Sequence, residues 1–250
     1  MGYHWNWKIL FAPEPGGTGT FLHYLVVGLG WSLATALSAW LIALVIGSIV
    51  GTLRTTPNPW VVRLGNAYVE IFRNIPLLVQ MFLWFFVMPE LVPTRLGDAI
   101  KQMPPPWGAF VPAVLCLGIF TSVRVAEQVR AGINSLPRGQ RMAGTAMGLT
   151  QMQTYRHVIL PQAFRIIMPP LTSEFMNIIK NSSVALTIGL MELTARARAM
   201  QEFSFQVFEA FAAATVLYLV TCLLVVWFMR WLEARVRVPG LIAIGAGGGH

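Results

Sequence analysis

The chain has 250 residues, of which 56% are hydrophobic and 11% charged, with a formal net charge of +8. Soluble domains carry roughly 25% charged residues, so this composition excludes an ordinary soluble fold and makes lipid the solvent. At about 20 residues per crossing, the length suits one membrane domain with a handful of helices.

Residues 1–23 read as an external N-terminal segment. MGYHWNWKILF lacks a basic region followed by an apolar stretch and a small-residue cleavage site, so no removable signal peptide is read there. Trp5 and Trp7 suit the headgroup level of the outer interface. GGTGTF lacks the lysine of a phosphate-binding loop and reads as flexible, and no such loop occurs elsewhere in the chain. The first charge-free run, Tyr24 to Leu53, is long enough to cross the hydrocarbon.

The second run, Ile75 to Pro89, reaches spanning length only by taking in Glu70 and Arg73, and the third, Gln102 to Val123, by taking in Arg124 and Glu127. Ionisable groups inside a bilayer usually face protein or water, so these exceptions are candidate pathway residues. An arginine fork matches the two oxygens of a carboxylate, which makes Arg73 and Arg124 candidates for substrate contact. Each also has a carboxylate three residues away, Glu70 and Glu127, so pairing on the same helix stands beside that reading. Asn74 and Gln80 could add amide contacts, and Pro76 marks a kink that frees a backbone carbonyl.

Residues 135–161 are neither apolar enough to span nor loose enough to be a plain loop. Ser135 can cap a helix that begins near Pro137, and Gly148 suits the left-handed position that closes it. Thr150 with Gln153 resembles a capping box opening a second short helix, which Pro161 ends. Met142, Ala146, Met152, Tyr155 and Ile159 give the pair an apolar side, and Arg138, Arg141, Arg156 and His157 give it charge. A docking surface for a cytoplasmic partner and a connector lying on its own bundle both fit.

The fourth run, Ile166 to Phe175, continues through polar residues to Met191. At about 100° per residue, Ser173, Glu174, Asn177, Lys180 and Asn181 share one stripe about 120° wide, with Phe175, Ile178 and Ile179 elsewhere. Such a stripe can replace part of the hydration of a zwitterionic amino acid, or hydrogen-bond across a seam between two subunits. The fifth run is Ala210 to Met229, and the glycine-rich tail, residues 239–250, reads as flexible.

Five crossings put the termini on opposite sides. With the C-terminus cytoplasmic, ten arginines from Arg54 to Arg237 fall inside and five cations (Lys8, Arg95, Lys101, Arg196 and Arg198) outside, in keeping with the positive-inside rule. The basic balance is thus topological, and no nucleic-acid partner is implied. His4, His23, His157 and His250 have no carboxylate or cysteine at metal-ligand spacing, so no metal is expected, and Cys116 and Cys222 sit in apolar runs as small hydrophobes. No catalytic site and no cofactor are expected.

The run Ala143 to Gly148, followed after nine residues by Val158, Ile159, Leu160 and Pro161, resembles the "EAA" loop of ABC-importer permeases. Ala143, Gly148, Leu160 and Pro161 match in register, Gly144 replaces an alanine and Met142 stands where the glutamate is usual. VEIFRNIPLLVQ, VRVAEQVRAGINSLPRGQ, TSEFMNIIKNSSVALTIG, RLGNAYVE and VRVPG resemble the polar-amino-acid subfamily, and glutamate/aspartate importer permeases in particular. The resemblance implies an all-α membrane protein of the type I, MetI-like permease fold, with five transmembrane helices and a permease domain over residues 24–238. It implies a bacterial inner-membrane subunit without enzyme activity of its own. The implied partners are a second permease subunit, a cytoplasmic ABC ATPase dimer and a periplasmic amino-acid-binding protein that delivers the substrate. The implied coupling residues are Arg138, Ala143, Gly148, Tyr155, Leu160 and Pro161. The pathway residues expected beside them are Arg73, Asn74, Arg124, Glu127, Glu174, Asn177, Lys180 and Asn181. An ATPase-independent ion-coupled carrier or channel remains the alternative on the residues alone, though no inverted repeat supports it.

Overall fold

The computed structural model describes residues 3–17 and 19–236. Arg237, His250, the 239–250 tail and the end of VRVPG lie outside the described residues. Helix α1, Phe21–Leu53, opens on Thr20, whose hydroxyl accepts from the His23 N–H at 3.3 Å. Helix α2, Pro59–Asn74, has Asn58 as its cap and proline in its first turn, a position where the missing N–H costs nothing. The chain then breaks at Ile75 and Pro76 and continues as α3, Leu77–Phe82, a π-helical turn at Leu83–Val87, and α4, Met88–Leu91. Helix α5, Thr94–Lys101, precedes α6, Trp107–Asn134.

Helix α1 packs on α6 through small residues. A Cβ on Gly47 would stand 2.6 Å from the Val125 Cβ, and one on Gly51 2.6 Å from the Ala126 carbonyl, so the backbones approach as closely as glycine allows. Those pairings rise together along both sequences, which makes α1 and α6 parallel.

Beyond α6 lie α7, Arg138–Ala146, and α8, Gln151–Thr154, then a π-helical segment at Tyr155–Ile159 and α9, Leu160–Asn181. A 3-10 stretch, Ser182–Ile188, leads to α10, Leu193–Ser204, and α11, Val207–Val236. Gly132 meets Ile167 while Arg124 meets Glu174, so α9 runs antiparallel to α6. Phe21 and Leu25 cluster with Ala210 and Ala214, and Ser32 reaches Tyr218, so α11 is parallel to α1. The main core gathers Met81, Leu117, Ile178 and Ile179 with small residues of α1.

Among the described residues α1, α6 and α11 are long and apolar enough to cross a membrane, and α2 with α3 and α4, bent by 100°, makes a fourth if counted as one crossing. Three expectations need correction. The second run does not extend smoothly back through Arg73 and Glu70: these sit on α2, across the 100° break at Pro76. Ser135 closes α6, its hydroxyl donating to the Gly132 carbonyl at 2.8 Å, and Pro137 rather than Ser135 precedes α7. Pro161 does not end the second short helix. The Leu160 N–H pairs with the Tyr155 carbonyl, five residues back, and this π register absorbs the donor that Pro161 lacks, so α8 runs on into α9.

Candidate functional site

The end of α2, the middle of α6 and the middle of α9 border an open-sided cavity of about 520 Å³ lined by Arg73, Phe120, Val123, Arg124, Glu127, Gln128 and Glu174. Arg73 reaches it from the last turn of α2, where the helix dipole favours a cation. The break that ends this helix is held by Gln80, a buried side chain whose amide donates to the Phe72 carbonyl at 2.8 Å and the Ile75 carbonyl at 3.0 Å. The kink therefore frees carbonyls and the Gln80 amide N–H groups occupy two of them.

The charges do not pair along their own helices as their spacing suggests. Arg124 Nη1 stands 3.6 Å from Glu174 Oε2 on α9, and its guanidinium lies 5.0 Å from the centre of the Phe120 ring. Glu127 instead meets Arg54, the residue that caps α1, at 2.9 Å. For Arg124 and Glu127 the partners lie on neighbouring helices, α9 and the end of α1, rather than on α6 itself. Arg73 has no ion pair with Glu70 or any other group among the described residues.

Four expected pathway residues thus converge: Arg73, Arg124, Glu127 and Glu174. The other four do not line the cavity. Asn74 turns its amide back to the Glu70 carbonyl at 2.7 Å. Asn177 and Asn181 are half-buried and Lys180 is exposed, on the α9 face that carries Ser173 and Glu174, while Phe175, Ile178 and Ile179 are buried in the core. The polar stripe thus runs from the cavity wall at Glu174 to an exposed surface at Lys180.

Around α7 and α8 the glycine stop and the capping box form as their residues suggest. The Leu149 N–H reaches the Gly144 carbonyl at 3.1 Å and the Gly148 N–H the Thr145 carbonyl at 3.0 Å, and Gly148 has φ of 78°. This is the hydrogen-bond pattern of a left-handed glycine stop. Thr150 and Gln153 form the capping box in both directions. Gly144 is buried where a Cβ would come within 2.7 Å of the Thr154 methyl, which explains glycine where the loop pattern has alanine. Met142, Ala146 and Met152 are exposed, whereas Tyr155 and Ile159 are buried, so the apolar residues divide between two faces. Arg138, Ala143, Gly148 and Pro161 are exposed and Leu160 is half-buried. Tyr155 is an internal anchor, its hydroxyl donating to the Thr55 carbonyl at 2.8 Å with Arg141 stacked 5.5 Å over its ring.

Two polar centres have no clear signal in the sequence. Arg54 reads as one more cytoplasmic cation after an apolar run. Glu192 is fully buried at the start of α10, and a glutamate is not a favoured cap. Its carboxylate accepts from the Ala195 and Thr194 N–H groups at 2.8 and 2.9 Å, from Tyr218 at 3.0 Å and from Ser32 at 3.2 Å.

The family model described as binding-protein-dependent transport system inner membrane component matches residues 22–238. The chain belongs to this family. The permease is 46% identical, over 241 residues, to the glutamate/aspartate import permease protein GltJ of Escherichia coli strain K12, covering 96% of this chain and 98% of the relative. A solved amino acid ABC transporter, determined with histidines, superposes with a TM-score of 0.73 at 28% identity, covering 86% of this chain and 95% of that one. The inward-facing MetNI methionine ABC transporter gives the same TM-score at 22% identity over 87% of this chain and 98% of that one, a likeness of fold. The protein is a permease subunit of an ABC amino-acid importer, a transport subunit rather than an enzyme.

Proposed function

We propose that this permease imports glutamate and aspartate across a bacterial inner membrane, receiving them from a periplasmic binding protein and driven by a cytoplasmic ABC ATPase dimer. In this reading residues 24–238 form the transmembrane domain with five crossings, α9 supplying the fifth, with the N-terminus outside and the C-terminus in the cytoplasm. Residues 135–161 are the coupling loop, and α7 sits in a groove of the ATPase. A second permease subunit faces the polar stripe of α9, so that the pathway follows the subunit interface.

The observation that carries the reading is the cavity in which Arg73, Arg124, Glu127 and Glu174 meet from three helices. Intramembrane charges gathered around water-accessible space are what a polar solute needs in place of its hydration. Arg73, unpaired among the described residues, leaves a cation available to a substrate carboxylate. The 46% identity to an importer permease for acidic amino acids supports the choice of substrate.

Reconstitution with the neighbouring ATPase and binding protein tests this directly. ATP-dependent uptake of glutamate and aspartate is the expected result, and uptake that persists without the ATPase overturns the importer mechanism in favour of a carrier. Gly148→Val forces a β-branched residue to φ of 78° and should lower uptake per ATP hydrolysed several-fold, on the order of 3-fold or more. A wild-type ratio in that variant removes the coupling role from the α7 turn.

A further inference from the structure

Arg54 stands between the cavity wall and the loop end of the molecule. Its side chain is 4% exposed, enclosed by α2 on one side and α6 on the other. Its Nε donates to Asn66 Oδ1 at 2.8 Å, and a Cβ on Gly65 would stand 2.6 Å from its Cγ, so α2 lies directly on the arginine stem. Its Nη1 stands 2.9 Å from Glu127 Oε1, a short ionic contact without hydrogen-bond alignment. Glu127 itself is 37% exposed and lines the cavity. The next residue along the chain, Thr55, accepts the Tyr155 hydroxyl on its carbonyl, and Tyr155 carries Arg141 of α7 on its ring.

We propose that Arg54 is a positioning residue of transport: it neutralises Glu127 in the cavity wall and ties that neutralisation, through Thr55 and Tyr155, to the α7 and α8 unit. This rests on the reading of the cavity as the pathway and of α7 as the coupling helix. With Arg54 in place the cavity presents Arg73 as its uncompensated charge and admits an anionic side chain. When the loop unit shifts, Thr55 and Arg54 shift with it, Glu127 is left bare, and its charge repels an acidic amino acid out of the cavity. A buried pair that loses one partner exposes the other to the full cost of its environment, so small displacements at Arg54 have large electrostatic consequences in the cavity. The two contacts form a contiguous physical link, and energetic coupling between them is what a mutant cycle measures.

The test uses the full transporter in proteoliposomes, with saturating glutamate-loaded binding protein, and compares Arg54→Met, Glu127→Gln, Tyr155→Phe and their combinations. Arg54→Met should lower the maximal glutamate uptake rate about tenfold, and adding Glu127→Gln should restore most of it, because the bare carboxylate is the cause. Tyr155→Phe should lower uptake per ATP hydrolysed about threefold, and that loss should vanish in the Arg54→Met, Glu127→Gln background, where no charge is left to move. A double variant no better than Arg54→Met overturns the proposal, as does a Tyr155→Phe loss that persists undiminished in that background. Should Arg54→Met fail to insert, Arg54→Lys serves instead. It keeps the charge and loses the Asn66 contact, so it should retain most uptake, and a loss of about tenfold in a normally inserted Arg54→Lys transporter overturns the neutralising role. Wild-type uptake that needs no ATPase refutes the importer reading instead, before any variant is compared.

Discussion

Glu192 and Glu174 are both carboxylates held between helices of a lipid-embedded bundle, yet their surroundings are opposite. Glu192 is fully buried and accepts four hydrogen bonds from Ala195, Thr194, Tyr218 and Ser32, joining α1, α10 and α11. Its position as the N-cap of α10 adds the favourable end of the helix dipole. Glu174 lies on a cavity wall, 3.6 Å from Arg124, and its Oε2 has no hydrogen-bond partner. A saturated carboxylate has nothing left to offer a ligand and serves as a joint. An unsaturated one beside a half-exposed arginine keeps acceptor and donor capacity in reserve, which is what a transient passenger requires.

The sharpest way to break that contrast is Glu192→Ala. It leaves the Ser32 and Tyr218 hydroxyls and the Thr194 and Ala195 N–H groups without their acceptor in a closed site. At about 1–3 kcal/mol for each buried group left unpaired, the summed loss over these four should be about 4 kcal/mol or more. Thermal unfolding of the detergent-purified chain reads it, and Glu192→Gln, which keeps one acceptor oxygen, should lose less than half as much. An unchanged midpoint for Glu192→Ala would deny the joint its role. The Arg124→Met, Glu174→Gln double variant should show the reverse profile. It removes both charges together, so no bare ion remains, and a pair at 45% and 13% exposure contributes little to folding, about 1 kcal/mol or less. Its glutamate uptake in proteoliposomes should nonetheless fall about tenfold or more. Intact uptake would assign the pair to packing alone.

The sequence made the cavity half legible. Charges within apolar runs pointed to Arg73, Arg124, Glu127 and Glu174, and the helical period placed Glu174 on one stripe of α9 with Ser173, Asn177, Lys180 and Asn181. Partner choice was not legible, because spacing along one helix says nothing about which neighbour packs against it: Arg124 chose Glu174 and Glu127 chose Arg54. The glycine stop at Gly148 and the capping box at Thr150 depend only on adjacent residues and were readable locally. The fate of Pro161 was not, since a π turn just upstream removes the clash and the missing bond that ordinarily make proline a terminator. Glu192 carries no local signal, because a glutamate at the start of a helix is secured as a cap here only by the Ser32 and Tyr218 hydroxyls, about 160 and 26 positions away in the chain.

The smallest effect separates the two uses of the α9 stripe. Lys180 is exposed in the last turn of α9, outside the cavity lining, with the helix dipole in its favour. Lys180→Ala should therefore change the unfolding midpoint of the chain by no more than about 0.5 kcal/mol equivalent. If the stripe extends the pathway beyond the cavity, uptake falls about threefold while the size of the detergent-solubilised transporter is unchanged, because a lysine lost from an aqueous wall removes attraction for a carboxylate and no packing. If the stripe is a seam, the permease pair loosens and the particle shrinks before transport is measured. The same substitution thus asks whether the reserve of unsatisfied charge at Glu174 continues along α9 or stops at the cavity mouth.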